Sequence, residues 1–202
     1  MRRLSERHEG ARTCSTTSTG SPQATLDACL QPVGKRFHSE AVVRLADAKR
    51  VHLGHTIKAD GRWRVFAFAD GSDPSEPDSQ LTRLCTFLEV SPDSPVVRYT
   101  PAGHDVASVI DVRAVCQQYH RDLAVDAMPP LLLPRKGRLG LVDDEKIFCP
   151  DLHHGPDIFD SRGIDRANGC IIVVRPDQHV AHVLPLAAHE RLSAFFASFM
   201  WA

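Results

Sequence analysis

The sequence predicts an α/β domain: a mixed β-sheet flanked by helices, with one long irregular connection inside it. Three observations carry this reading. Two apolar stripes at i, i+3, i+4 and i+7, Leu81/Leu84/Cys85/Leu88 and Leu192/Phe195/Phe196/Phe199, mark helices that lie on a sheet. The unbroken apolar run Cys170 to Val174 has the character of a central strand buried on both faces. Between them, Met128-Pro129-Pro130, Pro134 and Lys136-Gly137-Arg138 deny any regular element an unbroken path.

In chain order, residues 1–31 are rich in Ser, Thr and Arg, poor in large apolar side chains and without periodicity. They are expected to form a disordered leader ahead of one folded domain over residues 32–202. Ala41 to Leu45 is a candidate strand. Val51, Leu53 and Ile57 then alternate with polar or small neighbours as an edge or half-buried strand. Lys58-Ala59-Asp60-Gly61 supplies a turn into the apolar strand Trp63 to Ala69, so the two runs read as a β-hairpin. Asp70 to Ser79 is a loop of Gly, Ser, Asp and Pro. The first helix follows and ends at Ser91-Pro92. Val106 to Val115 is a further strand, and most of what lies between it and Asn168-Gly169 is read as loop. After the buried strand, Pro176-Asp177-Gln178 reverses the chain. His179 to Leu184 returns with Val180, His182 and Leu184 expected on one face. Pro185 closes this hairpin, and the terminal helix, whose apolar side chains are each worth about 2 kcal/mol if buried, is expected to be indispensable to folding. The order is compatible with a thioredoxin-like fold.

Composition narrows the function classes. The chain has 202 residues, 43% of them hydrophobic, enough for one substantial core. Lys and Arg number 24 against 25 Asp and Glu, a formal charge of -1 that supplies no field to gather nucleic acid or an anionic membrane. No apolar run approaches the roughly 20 residues of a membrane span. No continuous apolar segment near the amino terminus reads as a secretory signal, so the cytoplasm is the expected location. Six cysteines, at 14, 29, 85, 116, 149 and 170, include no Cys-x-x-Cys pair and read as reduced structural thiols.

Three stretches resemble a known family. Gly34 to Asp70, Asp111 to Asp151 and Asp157 to Leu186 are similar to the carboxy-terminal domain of phenol 2-monooxygenase and the related 3-hydroxybenzoate 4-hydroxylases. The third is the most specific. There the Gly-Ile-Asp turn at Gly163, the apolar strand and the Val-Arg-Pro-Asp-Gln hairpin at Val174 to Gln178 follow one another in order. The resemblance implies a thioredoxin-like dimerisation domain that packs between subunits. It also implies a parent enzyme whose amino-terminal region binds FAD and a phenolic ring and is reduced by NADPH. None of the twelve glycines here forms the Gly-x-Gly-x-x-Gly turn whose backbone N–H groups cradle a flavin pyrophosphate. The expectation is therefore a structural and interaction domain that is inactive alone and binds no FAD or NADPH itself. Its partner would be a second copy, as a homodimer, or a flavin-domain subunit. No catalytic, cofactor-binding or metal residue carries over. Two alternatives stand beside it: a subunit supporting aromatic hydroxylation in trans, and a remnant of a truncated gene.

Several residues invite a sharper reading. Thioredoxin-like reductants place a low-pKa cysteine at the start of the helix after an early strand, where the helix dipole stabilises thiolate. Here that position is Asp73-Pro74-Ser75-Glu76-Pro77-Asp78, so a stand-alone redox protein is disfavoured, and Cys85 on the apolar stripe reads as core. Cys149, Asp151, His153 and His154 crowd one loop, with His179 and His182 later, but their spacing matches no metal-ligand pattern. Arg175-Pro176-Asp177 has the chemistry of a tight turn. Lys35-Arg36, Lys49-Arg50 and Arg135-Lys136-x-Arg138 are short basic clusters without interleaved aromatics, read as solvated surface.

Overall fold

The protein's structure, a computed structural model, describes residues 33–201; the leader expected over residues 1–31, with Cys14 and Cys29, lies outside the described residues. The elements in chain order are β1 (Ala41–Arg44), β2 (Arg50–His52), β3 (Trp63–Phe68), α1 (Gln80–Val90), α2 (Pro95–Tyr99), β4 (Ile110–Val115), β5 (Arg135–Lys136), β6 (Leu141–Val142), β7 (Ile147–Pro150), α3 (Ile158–Ser161), β8 (Cys170–Val174), β9 (Val180–Pro185) and α4 (His189–Ala197). Seven strands form one mixed sheet in the order β2-β1-β7-β4-β3-β8-β9, and β5 and β6 form a separate ribbon. β3 and β4 run parallel with α1 between them, while β8 pairs antiparallel on the other edge of β3 and turns back as β9 into α4. This β-α-β unit followed by β-β-α is the thioredoxin-like arrangement.

β3 has no clean alternation because it is buried on both faces. Val65, Ala67 and Ala69 enter one core with Leu81, Leu84, Leu88, Leu192 and Phe196, under α1 and α4. Phe66 and Phe68 enter a second with Phe37, Leu53, Phe148, Phe159 and Ile172. Each such side chain contributes about 1.5–3 kcal/mol on burial. The first helix starts and stops as read: Ser79 Oγ accepts from Thr82 N at 3.1 Å, and Ser91 at the far end precedes a proline. On the second face, the Arg162 guanidinium lies 4.4 Å above the Phe37 ring and clamps the segment before β1 onto the sheet.

The structure corrects four expectations. The Val51-to-Ile57 run is not a strand that hairpins with Trp63 to Ala69. It stops at His52, and residues 53–56 form a 3-10 turn closed by Thr56 Oγ1 donating to Leu53 O at 2.7 Å. Gly54 there passes so close to Ser39 that a Cβ would lie 2.8 Å from its side chain. β2 pairs instead with β1 through a turn holding Ala48 at φ 54, and both edges of β3 belong to β4 and β8. Second, the strand expected from Val106 begins at Ile110, after turns that run through Ser108. Third, the long connection, read mostly as loop, also supplies a strand that was not expected: Ile147–Pro150 enters the main sheet between β1 and β4. Fourth, a register shift opposite Val173/Val174 puts Val180 on the second core while His182 stays on the same side as Leu184. A one-residue bulge reverses which face the following side chain meets.

Candidate interaction surfaces

The helix start where a thioredoxin-like reductant would hold its thiol is a capped, hydroxyl-lined turn. Ser79 caps α1, and Thr82 Oγ1 donates to Pro74 O at 2.9 Å. Cys85 lies in the core beyond it, and burial pushes its thiol well above the usual range. Cys116, Cys149 and Cys170 are likewise buried, with the Cys149 thiol pushed up to about 12 by desolvation. These thiols lack the electropositive, open surroundings that make thiolate at neutral pH.

The residues of the Cys149-to-His154 stretch do not converge on one point. Cys149 faces the first core from β7, whereas His153 and His154 are exposed. His154 Nδ1 sits 3.2 Å from Asp151 Oδ1, and His153 Nε2 sits 3.5 Å from the Tyr119 hydroxyl. His179 pairs with Asp177 in the β8–β9 turn, while His182 stacks on Phe195 with ring centroids 5.0 Å apart. Among the described residues, no three His, Cys, Asp or Glu side chains converge to hold a metal ion.

An ionic network was not legible beforehand. On the second face, where the residue ahead of β7 reaches the amino-terminal halves of β3 and β4, the sheet carries charge instead of apolar side chains. Arg64 on β3 lies opposite Asp111 on β4, and Asp111 also meets Lys146 at the start of β7. All three are buried. Arg64 Nε and Arg113 Nε each stand 3.0 Å from Asp111 Oδ2, and Asp60 closes on Arg64 from the loop at 2.8 Å. Burial alone would raise the Asp111 pKa. Lys146, Arg113 and Arg64 outweigh it and hold the carboxyl down to about 2. Burial draws Lys146 down to about 8 against the opposing pull of Asp111, so it stays charged at neutral pH. Above this floor lies a cleft of about 290 Å³ whose lining includes Arg44, Lys58, Arg62, Arg113 and Lys136 against Asp143 and Glu145. Arg44, Arg62 and Lys136 are tied to neighbouring carboxylates, so most of this charge is already spent inside the molecule.

Apolar surface gathers at the same end of the sheet. Trp63 at the start of β3 packs against Phe196 and Phe199, ring centroids 5.5 and 5.1 Å apart, and Phe195 joins them. The helical stripe read at Phe195 and Phe199 is thus an aromatic cluster at the rim of the core, and Trp201 beyond it is 95% exposed. The β5–β6 ribbon leaves Leu139, Leu141 and Val142 exposed as well. The basic run Arg135-Lys136-x-Arg138 forms one side and the tip of that ribbon, and Lys136 pairs with Asp143. No helix among the described residues is long and apolar enough to cross a membrane.

Comparison with known proteins places this architecture. A family model described as the phenol hydroxylase C-terminal dimerisation domain matches residues 15–202. A 3-hydroxybenzoate 4-monooxygenase from Comamonas testosteroni is 55% identical over 171 residues, which cover 84% of this chain and 27% of that protein. An FAD-dependent monooxygenase, terD, from Aspergillus terreus is 33% identical over 171 residues, covering 83% of this chain and 28% of that protein. The chain therefore spans little more than a quarter of the length of these curated relatives. Among solved structures, a peroxiredoxin-like protein from Aquifex aeolicus aligns over 85% of this chain and 91% of its own, at 14% identity and a TM-score of 0.45.

Proposed function

Because this chain belongs to the phenol hydroxylase C-terminal dimerisation domain family, we propose that it works as an association module whose partner is a second copy of itself. In this reading, residues 32–202 are the folded unit and the setting is cytoplasmic. The module serves a flavin-dependent aromatic monooxygenase and does not hydroxylate by itself. The observation that carries the reading is a division within the domain. Its interior thiols are sealed, while Leu139, Leu141 and Val142 on the ribbon, and separately Phe199 and Trp201 after α4, are exposed. Monomeric proteins keep contiguous apolar patches small, and larger ones mark interaction sites.

FAD and NADPH are assigned to the larger parent architecture and not to these residues. A flavin carries the redox chemistry in such enzymes, and the protein's part is to bind and orient it. The 202 residues contain no Gly-x-Gly-x-x-Gly turn to receive a pyrophosphate. Size-exclusion chromatography with light scattering tests the association. The expected mass at high concentration is about twice 22.3 kDa, and a strict monomer at every concentration overturns the reading. Incubation with FAD followed by desalting should leave no flavin absorbance on the protein.

A further inference from the structure

We infer that the β5–β6 ribbon is the arm through which two copies meet, each ribbon packing on the ribbon of the other. This rests on the association reading above and adds where the contact lies. Among the described residues β5 and β6 pair only through Arg135↔Val142 and Lys136↔Leu141 and join no other strand. A lone two-stranded ribbon is marginal in water. This one is held in place nonetheless: Gly137 N donates to Asp105 Oδ1 at 3.1 Å, and Asp143 at its base lies 3.8 Å from the buried Lys146 ammonium. What the anchoring presents to solvent is apolar, with Leu139, Leu141 and Val142 exposed by 80, 67 and 49%. Three large aliphatic side chains within four positions are the makings of a covered seam.

Charge identifies the occupant. Arg138 stands at the tip of the ribbon and Asp144 just past its base, both exposed, and among the described residues neither has an ion-pair partner. Two ribbons lying antiparallel about a two-fold axis bring the tip of each beside the base of the other. Arg138 of each copy then meets Asp144 of its partner while the leucines close between them. An isologous contact of this kind is self-complementary by construction. A uniformly acidic or basic partner would leave one of the two charges facing its own sign. Among the described residues the outer edge of β6 has no strand neighbour, so the two β6 strands can join the ribbons edge to edge and satisfy each other's open backbone groups. Contact through β5 would instead set Arg135 and Lys136 against their own copies.

Sedimentation velocity of the full chain over a dilution series tests this, with circular dichroism confirming that each variant folds. The double variant Leu139→Ser with Leu141→Ser is expected to raise the dimer Kd at least about tenfold, the scale of losing central interface contacts. Arg138→Asp and Asp144→Arg should each weaken the dimer, and the two combined should restore it, which a general loss of surface stickiness would not do. If the parent chain dimerises and every variant matches it, the ribbon is overturned while association stands. Single swaps that weaken without rescue overturn the Arg138–Asp144 contact. A parent chain that stays monomeric at all concentrations overturns both readings. Assembly only with a flavin domain, lost in the leucine variant, overturns the second copy as occupant.

Discussion

Replacing Asp111 with Asn isolates the energetics of the buried ionic floor. Asp111 is the common anion of Arg64, Arg113 and Lys146, and its side chain is 1% exposed. Asn keeps the volume and removes the charge, leaving two buried cations and one half-buried one without their shared partner. Breaking a buried pair on one side costs about 3–5 kcal/mol. Two routes of relief place this case at the lower end. Arg64 keeps Asp60 at 2.8 Å, and Lys146, with its pKa already drawn down to about 8, can shed its proton at modest cost. A loss of about 3 kcal/mol lowers the melting temperature of a domain of this size by about 6–12 °C. Thermal and urea unfolding followed by circular dichroism reads it. The double variant Asp111→Asn with Lys146→Met should recover at least half of the loss, because an apolar side chain of similar length removes the stranded charge. A loss below about 1 kcal/mol, or a double variant less stable than the single one, refutes the argument.

Three further outcomes follow from the same structure. The folded-state pKa of Asp111 lies below its ordinary 3.8, so its contribution is present above pH 3.8 and is lost as pH falls through about 2. It amounts to about 2 kcal/mol, a side chain this buried needing no discount for solvent screening. Urea midpoints measured between pH 5 and 2 should fall for the parent chain and fall less for Asp111→Asn. Gly169 sits at φ +61 with its Cβ position 2.4 Å from Phe68 O, so Gly169→Ala forces apart the turn into β8. Left-handed backbone and a clash with main chain together predict a loss of more than about 2 kcal/mol in urea unfolding. Phe196→Ala empties the contact between α4 and Trp63 and should cost about 3–5 kcal/mol, whereas Trp201→Ala should change monomer stability by less than about 0.5 kcal/mol.

The elements legible in the sequence are those whose burial is decided locally. The Leu81/Leu84/Cys85/Leu88 stripe and the Cys170-to-Val174 run each state their own environment, and both lie where they were read. The failures share a cause: the deciding partner is far away in the chain. Val51, Leu53 and Ile57 look like a strand, but the alternation skips His55, and Gly54 fits against Ser39 only in the turned conformation. β7 is four residues long between Lys146 and Asp151 and becomes a strand because β1 and β4 leave a slot for it. Its one local signal was the apolar triplet Ile147-Phe148-Cys149. α2 carries the Ser-Pro signature of a helix start at Ser94-Pro95, a local signal present in the sequence. The surface of the proposed ribbon arm was legible only as basic residues at Arg135 to Arg138, because exposure of Leu139 and Leu141 is a property of the folded ribbon.

The placement of the ionic network bears on why this scaffold suits association rather than redox chemistry. A thioredoxin-like reductant needs an open helix start with a stabilised thiolate. Here that end of β3 is closed by Ser79 and the turn before it, while the opposite end gathers what a lone domain has least use for: a charged floor, a projecting two-stranded ribbon and an aromatic rim. Buried ion pairs of this kind seldom add stability over apolar replacements, and their best-attested use is to fix register. Arg64, Asp111 and Lys146 tie β3, β4 and β7 together at the end from which the ribbon departs, since Lys146 follows β6 by only four residues. Lys136 and Lys146 both reach Asp143, so the ribbon and the floor share one carboxylate. The orientation of the proposed arm is thereby coupled to the sheet. If that coupling holds, Lys146→Met paired with Asp111→Asn recovers much of the lost stability but loosens the ribbon. Its dimer would then be weaker than that of the parent chain even where the two melt alike.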